Sequence, residues 1–282
     1  MIKRSDIHIR DPFILTEDDN YYLLGTTGDD PWGKASTLHL YRSSDLEEFE
    51  SLGCLIDYGV LDGYTNIWAP EIHKYNGKYY LIFSLFREDK GRGSIIFVSD
   101  SLAEKFIPLT GEYITPAGWG CLDATLFVYD NKPFLCFSNE WTTAVTGDGD
   151  GSLFIAQLSD DLKKLVAPPK KIISGKYSGK AIRVNDGSAE GYIAEGPCLY
   201  MQDGKTVLLW STITDTGYSV IKSVSNSGLS GDFVFEKFVF KDNGGHCMRF
   251  IDKNGKARIV LHQPNQTPFE RLVILDETDN GD

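Results

Sequence analysis

Short runs of Tyr, Phe, Ile, Leu and Val recur along the chain between Gly, Asn and Asp, and helical periodicity is hard to find. Aligning these runs reveals five copies of one segment, each a predicted strand, a polar turn and a second strand. The copies are RDPFILTEDDNYYLLGT, WAPEIHKYNGKYYLIFS, LDATLFVYDNKPFLCFS, AEGPCLYMQDGKTVLLWS and GGHCMRFIDKNGKARIVLH. The predicted turns are Asp19-Asn20, Asn76-Gly77, Asp130-Asn131, Asp203-Gly204 and Asn254-Gly255. Because Asn-Gly and Asp-Gly supply the positive φ angles of tight turns, each copy predicts an antiparallel hairpin.

A further strand with a Ser/Asp-rich turn follows four of the hairpins, as in LHLYRSSDLEEF and IIFVSDSLAEKF. Hairpin, third strand and a completing fourth make one antiparallel blade, and the copies start roughly 50 to 70 residues apart, as propeller blades do. Five copies account for residues 1–282. We therefore predict an all-β fold, a single-domain five-bladed β-propeller with a central channel and pocket. A β-sandwich would also give short strands, but a fixed register in five copies favours the propeller.

Polar residues occupy one position of this repeat. Counting back 15 or 16 residues from the Ser, Thr or His that ends each second strand gives Asp11, Ala69, Asp123, Glu195 and His246. The first strand of a propeller blade lines the channel, so three carboxylates and one imidazole are expected around one axis. Carboxylates that converge repel one another, and their pKa values separate into an acid and a base. A structural ion-pair network is the alternative use of such a cluster.

Composition narrows the function classes. The net charge is −12 and no basic cluster offsets it, which argues against a nucleic-acid partner. The apolar runs are far shorter than the roughly 20 residues of a membrane span, and no apolar stretch follows the charged N-terminus as in a signal peptide. The five cysteines are odd in number and form no C-x-x-C pair, which favours a reduced, cytoplasmic protein.

The chain resembles glycoside hydrolase family 43 in five short motifs at blade spacing. These are R-D-P-F at 10–13, W-A-P-E at 68–71, L-D-A-T at 122–125, E-G-P at 195–197 and G-G-H at 244–246. Each motif alone is weak, whereas all five in this order are specific. The resemblance extends to the C-terminal segment that contains Arg271.

The resemblance implies a role for each polar channel residue. Asp11 would be the general base that activates water, and Glu195 the general acid that protonates the leaving oxygen. Asp123 would position Glu195 and raise its pKa. His246 would lie at the channel centre, where relatives hold a water or a calcium ion, and is expected to contact that water or ion rather than a protein carboxylate. No other cofactor is implied. An acid and a base on opposite faces of a sugar are what an inverting glycosidase needs.

Three further residues are candidates for binding the sugar. Trp68 and Trp141 flank the channel positions and could each offer a flat apolar face to a sugar ring, although core packing is an equal alternative. Arg271 could hydrogen-bond sugar hydroxyls as a basic residue does in relatives, with a surface ion pair as the favoured alternative.

These observations predict an inverting, exo-acting glycoside hydrolase. Its expected partner is an oligosaccharide derived from plant polysaccharide, from which it would remove α-L-arabinofuranosyl or β-D-xylosyl residues. An endo-arabinanase, a galactofuranosidase and a non-catalytic glycan-binding propeller are the alternatives. Retaining, invertase-like enzymes use Asn-Asp-Pro-Asn and a Glu followed by Cys, whereas Asp11 follows Arg10 and Glu195 precedes Gly196.

Overall fold

The computed structural model describes residues 1–27, 38–145 and 147–277. Their strands form five antiparallel sheets of three to five strands and one separate two-stranded hairpin. One edge strand of each sheet faces the centre of the ring. These five strands contact one another in ring order, and the strand of the fifth sheet contacts that of the first. This confirms the predicted all-β, five-bladed propeller. Residues 278–282 of the predicted 1–282 domain lie outside the described residues.

The strands follow one another as meanders within the blades. The first blade contains β1 to β5, which are Ile2–Lys3, Arg10–Glu17, Asn20–Thr26, His39–Ser43 and Glu48–Cys54. The second contains β6 to β9, which are Thr65–Tyr75, Lys78–Arg87, Gly91–Ser99 and Ile107–Pro108. The third contains β10 to β13, which are Cys121–Tyr129, Lys132–Asn139, Ser152–Gln157 and Lys170–Ser174.

A small hairpin separates the third blade from the fourth. Its strands β14 and β15 are Val184–Asn185 and Glu190–Gly191. The fourth blade contains β16 to β19, which are Glu195–Gln202, Lys205–Thr214, Gly217–Ser225 and Val234–Phe240. The fifth contains β20 to β22, which are Gly245–Ile251, Ala257–Gln263 and Arg271–Asp276.

Helical structure in the described residues is limited to short 3₁₀ turns. These are Arg4–Asp6, Tyr58–Leu61, Trp141–Thr143, Lys176–Ser178 and Gly228–Ser230. Within residues 1–27, 38–145 and 147–277, no helix has the length and apolar character needed to cross a membrane.

A hairpin loop lies at or next to the predicted turn in all five blades. Asn76-Gly77, Asp130-Asn131 and Asp203-Gly204 are two-residue loops with positive φ at both positions, as predicted. In the first blade Glu17 pairs with Asn20, so the loop is Asp18-Asp19, one residue earlier than predicted. In the fifth blade the loop between Ile251 and Ala257 is longer and includes the predicted Asn254-Gly255.

A β-bulge interrupts the innermost strand of every blade, which is β2, β6, β10, β16 or β20. The pairing with the second strand shifts at this point, and one residue of each bulge has a positive φ. These residues are Asp11, Ala69, Asp123, Gly196 and His246. Asp and His tolerate this left-handed conformation better than most residues with a side chain, and Gly adopts it freely. The bulge turns this residue away from the regular alternation of the strand.

Each bulge is also held by the preceding blade. A Ser, Thr or His at or near the end of each hairpin's second strand hydrogen-bonds to the backbone of the next blade at the channel. Thr26 accepts from the Ala69 amide, Ser84 from the Asp123 amide, and Ser211 from the His246 amide, each at 2.8 Å. Ser138 instead donates to the carbonyl of Ala194 at 2.7 Å. The Ser and Thr residues that marked the repeat therefore join neighbouring blades.

The N-terminal segment closes the ring. β1 pairs with β5 at the outer edge of the first blade, while His8 forms a bridge with Arg271 on β22 of the fifth. Arg10 and Glu270 form a buried ion pair of 2.6 Å between the two blades. The fifth blade has three strands of its own, and the His8 bridge lies where other blades have a fourth strand.

Candidate active site

A cavity of about 400 Å³ lies where the bulges converge. It contains six of the seven predicted site residues, which are Asp11, Trp68, Asp123, Trp141, Glu195 and His246. Arg271 does not line it. The cavity is therefore bounded by carboxylates from three blades and by two indole rings.

Glu195 reaches this cavity from a different repeat position than predicted. It pairs with Ser211, just as Arg10 pairs with Thr26, so it lies one residue before the bulge position. Gly196 occupies the bulge position, with φ +58°. A Cβ there would lie 3.1 to 3.2 Å from atoms of His246, closer than an ordinary contact, so the position favours glycine on both spacing and φ. The carboxylate of the fourth blade consequently comes from the preceding residue.

Asp11 is held as a carboxylate by several donors. Thr26 Oγ1 donates to its Oδ2 at 2.6 Å, and Nδ1 of His246 lies 3.1 Å from its Oδ1. Burial would raise the pKa of Asp11, but the charge and hydrogen bond of His246, together with Arg10, hold this pKa well below its usual range. Asp11 is therefore ionised at every working pH and can accept a proton.

His246 contacts two protein carboxylates, and the prediction that it contacts only water or a cation is wrong. Its Nδ1 faces Asp11 Oδ1 at 3.1 Å and Asp123 Oδ2 at 3.8 Å. Burial alone would lower the pKa of His246, but Asp11 and Asp123 raise it to about 10. The imidazolium offsets part of the negative charge at the channel centre, which explains why three carboxylates can converge there.

The donor set around His246 does not fit a directly bound calcium ion. Calcium takes six to eight oxygen ligands, whereas a protonated imidazole donates and cannot coordinate. No cluster of three or more His, Cys, Asp or Glu side chains suited to a metal occurs in the described part of the chain.

Asp123 links the channel centre to the segment that carries Glu195. Its backbone amide donates to Ser84, and its Oδ2 accepts from the amide of Gly196 at 3.1 Å. Burial raises the pKa of Asp123 to about 7, assisted by the charges of Glu195 and Asp11 and opposed by His246. Asp123 thus fixes the backbone next to Glu195 and shares with it an environment that retains a proton.

Glu195 is partly buried at the cavity wall and has a tyrosine as its direct partner. Burial raises the pKa of its carboxyl, and the nearby Asp11 charge adds to this rise. The hydroxyl of Tyr218 donates to Glu195 Oε1 at 2.7 Å and works in the opposite direction. One oxygen is thereby fixed by Tyr218, and the other can carry the proton.

The two tryptophans have distinct supports. The guanidinium carbon of Arg92 lies 3.4 Å from the centroid of the Trp68 ring, a cation–π contact that covers one face of the indole. Trp141 begins a 3₁₀ turn and packs over Gly191 of the β14–β15 hairpin, where a Cβ would come within 2.7 Å of the indole. Both rings are only partly buried and line the cavity, so neither is a simple core residue.

Arg271 belongs to the ring closure and not to the cavity. Its guanidinium donates to the backbone carbonyls of Ser5, Pro268 and Glu270. The closing segment instead contributes Glu270, which binds Arg10, and Arg10 is the basic residue that lines the cavity. The prediction that Arg271 contacts sugar is therefore not supported by its position, and neither is the alternative of a surface ion pair.

Sequence reasoning missed several cavity residues, among them Arg10, Tyr218 and Glu140. Arg10 directly precedes Asp11 in the R-D-P-F motif, and this place next to a predicted site residue could have identified it. Tyr218 lies on the third strand of its blade, which the alignment of hairpins does not cover. Glu140 immediately precedes Trp141; burial raises the pKa of its carboxyl, and nearby Arg92 opposes that rise.

The cavity combines an ionised carboxylate with a buried pair of carboxyls that retains a proton. Asp11 can accept a proton from water, while Glu195 can donate one to a leaving oxygen. The two groups come from the first and fourth blades, so a ligand between them can be approached by a base and an acid at once.

Comparisons with known proteins agree with this description. The family model described as Glycosyl hydrolases family 43 matches residues 6–278. A solved structure described as an endo-arabinase from Bacteroides thetaiotaomicron is similar at 30% identity and a TM-score of 0.90, over 99% of this chain and 98% of that one.

Two curated proteins named extracellular exo-alpha-(1->5)-L-arabinofuranosidase are also similar. The one from Streptomyces avermitilis is 27% identical over 70% of this chain and 42% of its own length. The one from Streptomyces chartreusis is 27% identical over 58% of this chain and 48% of its own length. The chain thus spans less than half the length of these two relatives.

Proposed function

The chain belongs to glycosyl hydrolase family 43, and from this membership we propose that it is an inverting, exo-acting glycoside hydrolase. Its proposed substrates are plant-polysaccharide-derived oligosaccharides, from which it removes α-L-arabinofuranosyl or β-D-xylosyl residues. One observation carries the proposal. A carboxylate that stays ionised, Asp11, and a buried proton-retaining pair, Asp123 and Glu195, line the same cavity.

The proposed reaction is a single displacement. Asp11 takes a proton from a water molecule whose oxygen attacks the anomeric carbon. The glycosidic C–O bond breaks as Glu195 transfers its proton to the leaving oxygen, and the configuration at the anomeric carbon inverts. Asp123 positions Glu195 through the Gly196 amide. Trp68 and Trp141 pack against the sugar, and Arg10 donates hydrogen bonds to it.

This reaction uses side chains alone and needs no cofactor. Both proton transfers are assigned to carboxyl groups, and no step requires a Lewis acid. Since His246 is bound to Asp11, a calcium ion near the channel would have to be held through water molecules.

Arabinose is the favoured sugar, because the two curated relatives are named for α-(1→5)-L-arabinofuranosidase activity and the similar structure for arabinase activity. Endo cleavage of arabinan is the second candidate. The observation that favours it is the resemblance over 99% of this chain to the structure described as an endo-arabinase. The acid and base would be the same in either case, and only the length of chain bound beyond the cavity would differ.

A substrate panel tests the proposal. The purified protein is given 4-nitrophenyl α-L-arabinofuranoside, β-D-xyloside and β-D-galactofuranoside, together with debranched arabinan and α-1,5-arabinobiose. Release of arabinose alone from arabinan supports exo action, and a ladder of oligosaccharides supports endo action. Proton NMR of the first product must show inverted configuration. Failure to hydrolyse any of the five would leave a non-catalytic glycan-binding propeller.

We also propose that the protein acts in the cytoplasm on imported oligosaccharides and that nucleic acid is not a partner. All five cysteines are free thiols, which suits a reducing compartment. The net charge of −12 disfavours phosphate backbones. Fractionation of the native cells tests the location, and activity found outside the cytoplasm would contradict it.

A further inference from the structure

His262 lies next to the end of β21 in the fifth blade, at the repeat position where the other four blades have Ser or Thr. Like Thr26, Ser84 and Ser211, it accepts a hydrogen bond from the channel residue of the next blade. Its Nδ1 accepts from the backbone amide of Asp11 at 3.1 Å. A hydroxyl would suffice for this contact alone, so the larger imidazole calls for a further explanation.

The second contact of the ring supplies that explanation. The imidazole of His262 stacks on the ring of Tyr218, with centroids 5.7 Å apart and planes at 25°. The hydroxyl of Tyr218 is the group that donates to Glu195. His262 therefore contacts the backbone of Asp11 on one side and, on the other, the tyrosine whose hydroxyl donates to the Glu195 carboxyl.

We propose that His262 is a positioning residue that aligns both members of the acid–base pair, Asp11 through its backbone amide and Glu195 through the stacked ring of Tyr218. The proposal rests on the proposed function, since it assigns the partners of that acid and base. His262 is fully buried and does not line the cavity, so it acts through the residues that it contacts.

His262 does this as a neutral ring. The charged and titratable groups around it are Arg10 and Asp11 on β2, Tyr218 on β18 and His246 on β20. Burial and the nearby Arg10 charge lower the pKa of His262 to about 3, although the Asp11 charge opposes them. Nδ1 is then free to accept from Asp11, while Nε2–H faces Oδ1 of Asn265 at 3.4 Å.

Two substitutions separate the two contacts. His262→Asn places an amide oxygen close to the position of Nδ1, so it keeps an acceptor for Asp11 but removes the ring. His262→Phe keeps a ring against Tyr218 but removes the acceptor. Each variant, and the wild type, is assayed with α-1,5-arabinobiose, whose leaving group needs a proton, and with 4-nitrophenyl α-L-arabinofuranoside, whose leaving group does not.

We expect His262→Asn to lower kcat/KM about 10- to 100-fold for arabinobiose and less than about threefold for the nitrophenyl substrate. We expect His262→Phe to lower both by a similar factor of about ten, because the base serves both substrates alike. Equal leaving-group dependence in the two variants would overturn the proposal. His73→Asn is the matched control, since it removes a ring bound to Glu71 at 2.6 Å outside the cavity. It should lower the melting temperature and leave the ratio of the two substrates unchanged.

A measurement that does not need activity keeps this inference separate from the proposed function. Carbon-13 NMR of labelled glutamate carboxyls follows the titration of Glu195, whose signal is the one absent from Glu195→Gln. Loss of the Tyr218 hydrogen bond should raise the midpoint by about one pH unit in His262→Asn and in Tyr218→Phe, but not in His262→Phe. An unchanged midpoint in His262→Asn contradicts the alignment. Inactivity of the wild type on both substrates contradicts the function instead.

Discussion

Asp11 and Glu195 have opposite electrostatic environments although both carboxyl groups line the same cavity. Asp11 receives a hydrogen bond from Thr26 and faces an imidazolium, which keeps it ionised. Glu195 receives only the Tyr218 hydroxyl among the side-chain hydrogen bonds described, so burial dominates and its pKa rises. The chemical type of each residue was evident from the sequence, but its role follows from these partners, which lie on other strands and, for His246, on another blade.

Replacing each carboxyl should expose its role. Glu195→Gln should lower kcat/KM for arabinobiose by about 10² to 10⁴, and less for the nitrophenyl substrate, because only the first leaving group needs a proton. Asp11→Asn should reduce both activities by a similar factor. The ratio of the two rate constants is the measurement. An identical ratio in both variants would contradict the assignment of acid and base.

Asp123→Asn should move one limb of the pH profile. A negative Asp123 disfavours ionisation of Glu195, so removing its charge lowers the pKa of Glu195, and the acid form is lost at lower pH. The alkaline limb of kcat/KM should therefore move down by about one to two pH units. No matching shift is expected from Asp11, because His246 keeps the pKa of that carboxyl well below its usual range and Asp11 stays ionised throughout the working range. A uniformly reduced rate with the wild-type profile would restrict Asp123 to holding the Gly196 amide.

Removal of divalent metal should have no effect on the reaction. His246 is bound to Asp11 and its pKa is raised to about 10, so it is protonated near neutral pH and unsuited to coordination. Activity and melting temperature should be the same after dialysis against EDTA, with a dialysed sample given calcium as the control. A loss that calcium restores would show a water-held ion that the side chains alone do not reveal.

At the scale of the strand, turn chemistry was readable from the sequence and bulge register was only partly so. Asn76-Gly77 and Asp203-Gly204 encode their loops locally, because both positions need a positive φ. The bulge depends on which residue of the second strand faces which residue of the first. A strict count of 15 residues before Ser211 gives Gly196 and not Glu195, in line with the first three blades. The sequence alignment also accepted a count of 16 residues, because His246 lies 16 residues before His262. This allowance concealed the difference between Glu195 and Gly196.

The Ser and Thr hydroxyls that join neighbouring blades should contribute measurably to stability. Ser84→Ala removes the acceptor of the buried Asp123 amide and should lower the free energy of unfolding by about 1–3 kcal/mol. It should also lower kcat, because Asp123 would lose its anchor to the second blade. Ser51→Ala, on the exposed outer strand of the first blade, is the control and should change stability by less than about 0.5 kcal/mol. Urea denaturation measures both, and equal stabilities would contradict a structural role for the hydroxyl.

For the whole molecule, the number of blades followed from the repeat, but the way in which the ring closes did not. Closure depends on residues without a counterpart in the other blades, such as the His8–Arg271 bridge and the Arg10–Glu270 ion pair. A repeat search detects what the blades share and is blind to these contacts. The position of Arg271 was mispredicted for this reason. The same closure brings Arg10 to the cavity, so the joint between the first and last blades is also part of the proposed active site.

The Arg10–Glu270 pair should therefore be required for both stability and activity. Both side chains are at most 10% exposed, and Glu270→Gln removes the negative charge that Arg10 contacts at 2.6 Å. The loss should be about 3 kcal/mol, the lower end of the range for breaking a buried pair, because Asp11 still lies beside the guanidinium. Glu47→Gln breaks the more exposed Arg4–Glu47 pair and should cost about 0–1 kcal/mol. Urea denaturation compares the two variants. Glu270→Gln should also raise KM, since Arg10 would no longer be held against the closing segment, whereas Glu47→Gln should leave KM unchanged. Equal stabilities of the two variants would show that the ring is closed by its apolar contacts and backbone bridges without help from this ion pair.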